Sequence, residues 1–224
     1  MTALTFTLKV SPSQPLDCRQ LTPNKLAGLS LSDIKNLSLS QQKNAPKVTD
    51  YFEVTGSDTN QIVFKNSRSQ LDYIGHKMTS GSIVIEGNCG DFLGANLQNG
   101  TIIVKGNAND RVGDQMRRGL ILIDGNAGNY CASRMIAGTI GVYGEVGQYL
   151  GFTMKRGTIL LTQQPCLHAT LQDCGMHTLP FLTLLFRSFT PLPTLFNHIQ
   201  TQRVQRYAGD LACNGNGEIL IFLD

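Results

Sequence analysis

Residues 111–130, RVGDQMRRGLILIDGNAGNY, place Gly119, Gly125 and Gly128 behind the pair Arg117-Arg118. This is the composition of a loop whose backbone N–H groups cradle phosphate. Such a loop occurs once, between a strand and a helix, whereas this segment recurs along the chain and no helix follows it. Nucleotide binding is therefore set aside. A second chemical candidate is Cys166, His168, Cys174 and His177, all of zinc-ligand type and close in sequence. Their Cys-x-His and Cys-x-x-His spacing departs from zinc-finger patterns, which favours a packed or exposed loop over a structural metal. His76 stands alone in its stretch, and no Ser-His-Asp or paired-carboxylate arrangement emerges, so no catalytic residue is assigned.

The recurrence itself is the strongest signal. Gly75, Gly94, Gly113 and Gly151 form one column with Ala132 in the missing place, and Gly81, Gly100, Gly119, Gly138 and Gly157 form another. A third holds Gly87, Gly106, Gly125 and Gly144. Met78, Leu97, Met116, Met135 and Met154 keep the same register, as do Ile83, Ile102, Ile121, Ile140 and Ile159 and the column of Ile85, Val104, Ile123, Val142 and Leu161. Of the 23 glycines, 17 lie between residues 75 and 157, so glycine use belongs to this block.

Glycines break each unit into short β-type pieces such as Ser82-Ile83-Val84-Ile85, and the sustained helical recurrence is missing. The pattern predicts a mainly β fold, a right-handed parallel β-helix with three short strands per turn, 19-residue coils and glycine corners. Val48–Phe64 reads as a degenerate first coil. The expected organisation is an N-terminal cap and linker over 1–47, the β-helix over 48–164 and a capping segment over 165–224.

Alternation points Ile83 and Ile85 inward and Val84 and Glu86 outward. Cys89, beside Ala108 and Ala127, and Cys131, beside Leu93 and Val112, read as core filler. Val84, Ile103, Leu122 and Leu160, interrupted by Gly141, make an outward apolar ladder that something must cover. Tyr73, Phe92, Arg111, Tyr130 and Tyr149 make a second outward ladder, in which a guanidinium sits between rings in cation–π fashion. Both are candidate partner interfaces. Arg117, Arg118, Arg134, Lys155 and Arg156 fall in neighbouring columns and form a candidate basic patch, either a solvated face or a dock for acidic protein or a polyanionic ligand. Glu86, Lys105 and Asp124 alternate in sign and are expected to support the stack.

The flanks should close the open ends of the solenoid. The N-terminal side offers an alternating strand (Leu4, Phe6, Leu8, Val10), a short helix over Ser32–Leu37 capped by Ser32, and a polar linker over 40–47. Leu179–Phe189 is an apolar helix stopped by Pro191 and Pro193, suited to lie over the outward apolar ladder. With 224 residues, 41% apolar content and a net charge of +3, the sequence suits a globular protein with neither a nucleic-acid nor a membrane partner. MTALTFTLKV lacks the layout of a secretion signal, and the six cysteines form no CxxC pair, which together imply a reducing cytoplasm.

The unit GxxMxxGxIxVxGxAG, present as GDQMRRGLILIDGNAG, resembles the GXGXG β-helix shared by two groups of proteins. One is the C-terminal domain of the glutamate synthase large chain, and the other is the C subunit of formylmethanofuran dehydrogenase. The flanking LAGLSLSDIKNLSL, TDYFEVTG, QDCGMHTLPFLTLLF and RYAGDLACNGNGEILIF look like the C-subunit layout, in a family that includes the C subunit of the bacterial formyltransferase/hydrolase complex. The resemblance implies a scaffold without its own catalytic centre, binding no cofactor itself. Its implied partners are three other subunits of one complex: amidohydrolase-like, molybdopterin-enzyme-like and formyltransferase. It also implies formyl groups carried on tetrahydromethanopterin and a methanofuran-type carrier. In the archaeal version other subunits hold a tungsten or molybdenum pterin and iron–sulfur clusters. No motif separates the versions; the compact length favours the bacterial one. Departures from the pattern are Ala132 for a corner glycine and Asn109 for the glycine of Gly90, Gly128 and Gly147.

Overall fold

A computed structural model describes residues 2–40 and 45–223. The protein is mainly β and β-helix-like, with a large, mostly parallel sheet and few helices. It opens with β1 (Ala3–Leu8), β2 (Leu16–Asp17), α1 (Pro23–Leu26), α2 (Leu31–Asn36) and α3 (Val48–Tyr51), then β3 (Phe52–Thr55), β4 (Asp58–Ser67) and β5 (Leu71–Asp72). The repeat block contributes β6 (Ser82–Gly87), β7 (Thr101–Val104), β8 (Leu120–Ile123), β9 (Thr139–Val142) and β10 (Thr158–Leu161). Beyond it run β11 (Gln172–Thr178), α4 (Phe181–Phe189), β12 (Arg203–Gly209) and β13 (Gly217–Phe222).

Strands β6 to β10 pair in parallel in unbroken register: Ile83 lies beside Ile102, Ile102 beside Ile121, Ile121 beside Ile140 and Ile140 beside Ile159. Columns in the sequence are therefore ladders in space, at about 4.8 Å per rung. The inner columns of Met78, Ile83, Ile85 and their equivalents are fully buried. Each such side chain contributes about 1.5–3 kcal/mol relative to exposure. Only one side of each turn is a true strand. A second side is held by single bridges linking Cys89, Ala108, Ala127 and Val146, and the third is built of turns. The expectation of three strands per turn is corrected accordingly. Left-handed residues recur on the third side and break extension there, Tyr73 at φ 59° and Lys77 at φ 55° among them.

The corner glycines answer two demands. Gly94 has φ +61°, a conformation glycine adopts without penalty. Gly106 does not; a Cβ there would stand 2.7 Å from the Gly87 carbonyl oxygen of the rung below, so its column is glycine because two backbones pass closely. Ala132 replaces a corner glycine at φ 61° and is fully buried.

Antiparallel strands close both ends. β1 pairs in parallel with β4 and antiparallel with β3, which corrects the reading of Val48–Phe64 as a coil: residues 48–51 are helical, β3 turns back on β1, and β4 alone is the rung beneath β6. Phe6, Phe52 and Phe64 pack together there, the first and last stacked at 5.3 Å. At the far end β13 continues the parallel stack on β10, and β12 and β11 add antiparallel strands. β1 ends at Leu8, leaving Val10 55% exposed outside the strand. α2 is capped by Ser30, which exchanges hydrogen bonds with Asp33 at 3.1 Å each way, and not by Ser32. Asp33 completes the box because its carboxylate reaches back to the Ser30 N–H. Part of the expected 40–47 linker lies outside the described residues, and an antiparallel bridge joins Ser38 to Lys47 across it. Among the described residues no helix is long and apolar enough to cross a membrane.

Candidate functional site

The aromatic ladder forms as its spacing requires. Tyr73 stacks on Phe92 at 4.7 Å and 5°, and Tyr130 on Tyr149 at 4.8 Å and 13°. The Arg111 guanidinium sits between the two pairs, 5.7 Å from the Phe92 centroid and 4.8 Å from that of Tyr130. Ring separation matches rung spacing, so the stack adds no mismatch to the backbone. All five residues have left-handed backbones, with φ between 57° and 61°. Each such conformation costs about 1–2 kcal/mol in a non-glycine residue. Coil-to-coil hydrogen bonds help to offset this: the N–H of Tyr73 donates to Asp91 O at 2.8 Å, and that of Arg111 to Asn129 O at 2.8 Å. The geometry also throws the side chains outward at the corner, leaving Tyr149 44% and the neighbouring Phe152 42% exposed.

One end of the stack has a member that the repeat does not reveal. Arg19, from the N-terminal cap, lies 3.7 Å above the Tyr73 ring and pairs with Asp17 at 3.3 Å. His76 packs edge-on against the same ring at 5.8 Å. Burial first, then the charges of Arg19, Lys77 and Lys25, lower its pKa to about 4, so it is neutral at physiological pH.

The candidate basic patch divides. Arg134 forks onto Asp114, Nη2 to Oδ2 at 2.6 Å and Nε to Oδ1 at 3.0 Å, and the Ser133 hydroxyl donates to the same carboxylate at 2.6 Å. Asp114 is 2% exposed, so Arg134 is the counter-ion of a buried carboxylate, which corrects its placement in a free patch. Lys155 Nζ donates to Cys213 O at 2.7 Å. Arg117, Arg118 and Arg156 are exposed and have no acidic partner among the described residues.

The outward apolar ladder is covered by the protein's own C-terminal segment. Leu122 and Leu160 are fully buried in a second cluster with Leu182, Phe186, Phe189, Phe196, Val204 and Leu220, and Ile103 is 2% exposed. The expected helix lies in that cover, and these three ladder residues are withdrawn from the candidate partner interface; Val84 is half-buried. The charged column anchors the cover: Lys105 pairs with Asp124 at 3.4 Å and donates to Pro193 O, while Asp124 accepts from Thr194 Oγ1 at 2.6 Å and from the Leu195 N–H at 2.8 Å.

Cys166, His168, Cys174 and His177 do not converge. His168 is bonded to Thr170 Oγ1 at 2.7 Å and Leu150 O at 3.1 Å, and His177 to Cys174 O at 2.9 Å. Among the described residues no group of three potential ligands could hold a metal. Cys89 and Cys131 are buried, as core filler must be, and burial raises the Cys131 thiol to about 12.

Two side-chain ladders escaped the sequence reading although they keep its period. Asn88, Asn107 and Asn126 each accept, through Oδ1, the N–H of the residue one coil on, at 2.9, 2.8 and 2.8 Å. Asp72, Asp91, Asp110 and Asn129 do the same at 2.8, 3.2, 2.7 and 2.9 Å. Side-chain acceptors here replace the missing strand ladder at the corners, which is why Asn and Asp recur there.

No family model matches the sequence. It is similar to the C subunit of the tungsten-containing formylmethanofuran dehydrogenase 2 of Methanococcus maripaludis, 35% identical over 92 residues, covering 40% of this protein and 34% of that one. It is also similar to the C subunit of the formyltransferase/hydrolase complex Fhc of Methylorubrum extorquens, 30% identical over 86 residues, covering 38% of this protein and 32% of that one. The match thus spans about a third of the length of these curated relatives. Among solved structures, a polypeptide of the formyltransferase/hydrolase complex FhcABCD from Methylorubrum extorquens, crystallised with methylofuran, superposes with a TM-score of 0.63 at 28% identity. That superposition covers 98% of this protein and 100% of that polypeptide. The C-subunit likeness read from the repeat and flanks is borne out.

Proposed function

We propose that the protein is a non-catalytic scaffold, the C subunit of a complex that handles formyl groups on a methanofuran-type carrier and tetrahydromethanopterin. The observation that carries this reading is the near end-to-end superposition on a polypeptide of the formyltransferase/hydrolase complex. Local chemistry is consistent with it: the aromatic ladder and the remaining cations face outward. The partners on this reading are the amidohydrolase-like, molybdopterin-enzyme-like and formyltransferase subunits of the same complex, in a cytoplasmic setting that suits six free cysteines.

On the same reading the fold is a right-handed β-helix of 19-residue coils within the segment 48–164, with β4 as its first rung, flanked by caps over 1–47 and 165–224. The unbroken parallel register and the near-universal right hand of parallel crossovers support it. The partner-facing residues are then Tyr73, Phe92, Arg111, Tyr130 and Tyr149 with the free arginines. Affinity purification of the full-length protein from its native host tests the function. Stoichiometric recovery of the amidohydrolase-like and formyltransferase subunits is the expected result; recovery of the protein alone overturns it.

A further inference from the structure

The register of the repeat separates charge by side. The turn-built side, residues 73–81, 92–100, 111–119, 130–138 and 149–157, carries seven Lys and Arg against one carboxylate, Asp114. The bridged corner, 86–91, 105–110, 124–129 and 143–148, carries five carboxylates against one lysine. Asp114 is consumed by Arg134, so the protein supplies no counter-charge for Arg117, Arg118, Arg156 or Lys77 among the described residues. Arg117 and Arg118 are adjacent, and Arg156 lies on their side two rungs on, about 10 Å away at the usual strand spacing. Like charges at such distances repel even in water, and more strongly beneath a docked, low-dielectric body. The exposed rings of Tyr149 and Phe152 lie on the same coil as Lys155 and Arg156 and offer apolar anchors beside the charge. The opposite, sheet-side apolar surface is already covered by the C-terminal segment.

We propose that the turn-built basic side is the docking face of the protein, and that its occupant is an acidic protein surface on one of the other subunits, with Tyr149 and Phe152 as its anchors. This rests on the scaffold reading above. The charge complementarity selects the occupant: four uncompensated cations on a rigid stack want carboxylates held at matching spacing, which a folded acidic surface provides.

The test uses the tagged full-length protein in its native host, as wild type, as R117E/R118E/R156E, and as R68E/R187E/R203E, which reverses three exposed arginines elsewhere. Reversal on the basic side is expected to lower co-purifying partner at least about 10-fold, and wild-type recovery should fall as salt rises. The control variant should recover partner as wild type does, and all three proteins should melt alike. Carbodiimide coupling in the wild-type complex should join Lys77 or Lys155 to partner aspartates or glutamates. Full recovery of partner by R117E/R118E/R156E overturns the proposal. So does binding of an oligoglutamate probe to the isolated protein that the same variant abolishes while assembly persists, since the face would then serve a flexible anionic ligand. If the wild type recovers no partner at all, the scaffold reading fails instead.

Discussion

Phe196 seats its ring over Gly141: a Cβ added to that glycine would stand 2.8 Å from Phe196 Cζ and 2.8 Å from Leu122 Cδ2. Gly141 is the gap in the outward column of Val84, Ile103, Leu122 and Leu160, and the gap is the socket for the C-terminal cover. Filling it with Gly141→Leu completes the column but evicts the ring. Overpacking of this kind costs about 1–3 kcal/mol, whereas Phe196→Ala leaves a cavity costing about 3–5 kcal/mol. In urea titrations the double substitution should be less destabilised than the sum of the singles, because the new leucine occupies space that the ring vacates.

Arg134 and Arg117 look alike in the sequence, and the structure predicts unlike consequences. Arg134→Met strands Asp114, whose side chain is 3% exposed against 51% for Arg134. Removing one partner of a largely buried pair costs several kcal/mol, and exposure on the arginine side reduces this to about 1–3 kcal/mol. Arg117→Met should change stability by less than about 0.5 kcal/mol. Thermal melts of the two variants check the contrast.

That contrast marks where the sequence stops being legible. Period and face alternation suffice to place Ile83, Met78 and their equivalents inside and to set Arg111 between Phe92 and Tyr130, because one register governs all coils. Arg19 over Tyr73 and Phe196 over Gly141 join residues from outside the repeat, so no column announces them. The Asp114 pairing is hidden from the sequence for another reason. Its column runs His76, Ala95, Asp114, Ser133, Phe152 with no shared chemistry, and Arg134, whose backbone is left-handed at φ 53°, reaches it from the next coil, one position past the column. The Asn88 and Asp72 ladders, by contrast, repeat faithfully and are legible once polar columns are counted as well as apolar ones.

His76 should make the N-terminal end acid-sensitive. Its pKa falls from 6.5 to about 4 on folding, through burial and then Arg19, Lys77 and Lys25, with Asp17 opposing. Between these values the unfolded state holds the proton and the folded state does not, so stability rises with pH there. The contribution is therefore present above 6.5 and is lost as pH falls through about 4. Asp72, raised by its own burial and by Asp91, works in the opposite sense at the acid end, so wild type must be compared with His76→Leu. Melting temperatures across this window should fall more steeply with acid in the wild type; parallel profiles would sink the assignment.

The carboxylate column offers a substitution that improves on the natural residue. Asp72, Asp91 and Asp110 each need only one oxygen to accept the N–H of the next coil, and Asn129 does the same work with a neutral amide at 2.9 Å. Three like charges one rung apart repel: burial is the main reason the Asp72 pKa is raised, and the Asp91 charge adds to it while the hydrogen bond from the Asp91 N–H opposes it. Asp91→Asn keeps the Oδ1 acceptor for Asp110 N and removes the central charge. It should stabilise the protein by about 0.5 kcal/mol at neutral pH and low salt, with the gain shrinking as ionic strength rises. Urea midpoints at low and high salt measure both effects. A loss of stability at low salt would mean that the second carboxylate oxygen makes an interaction worth more than the repulsion it causes.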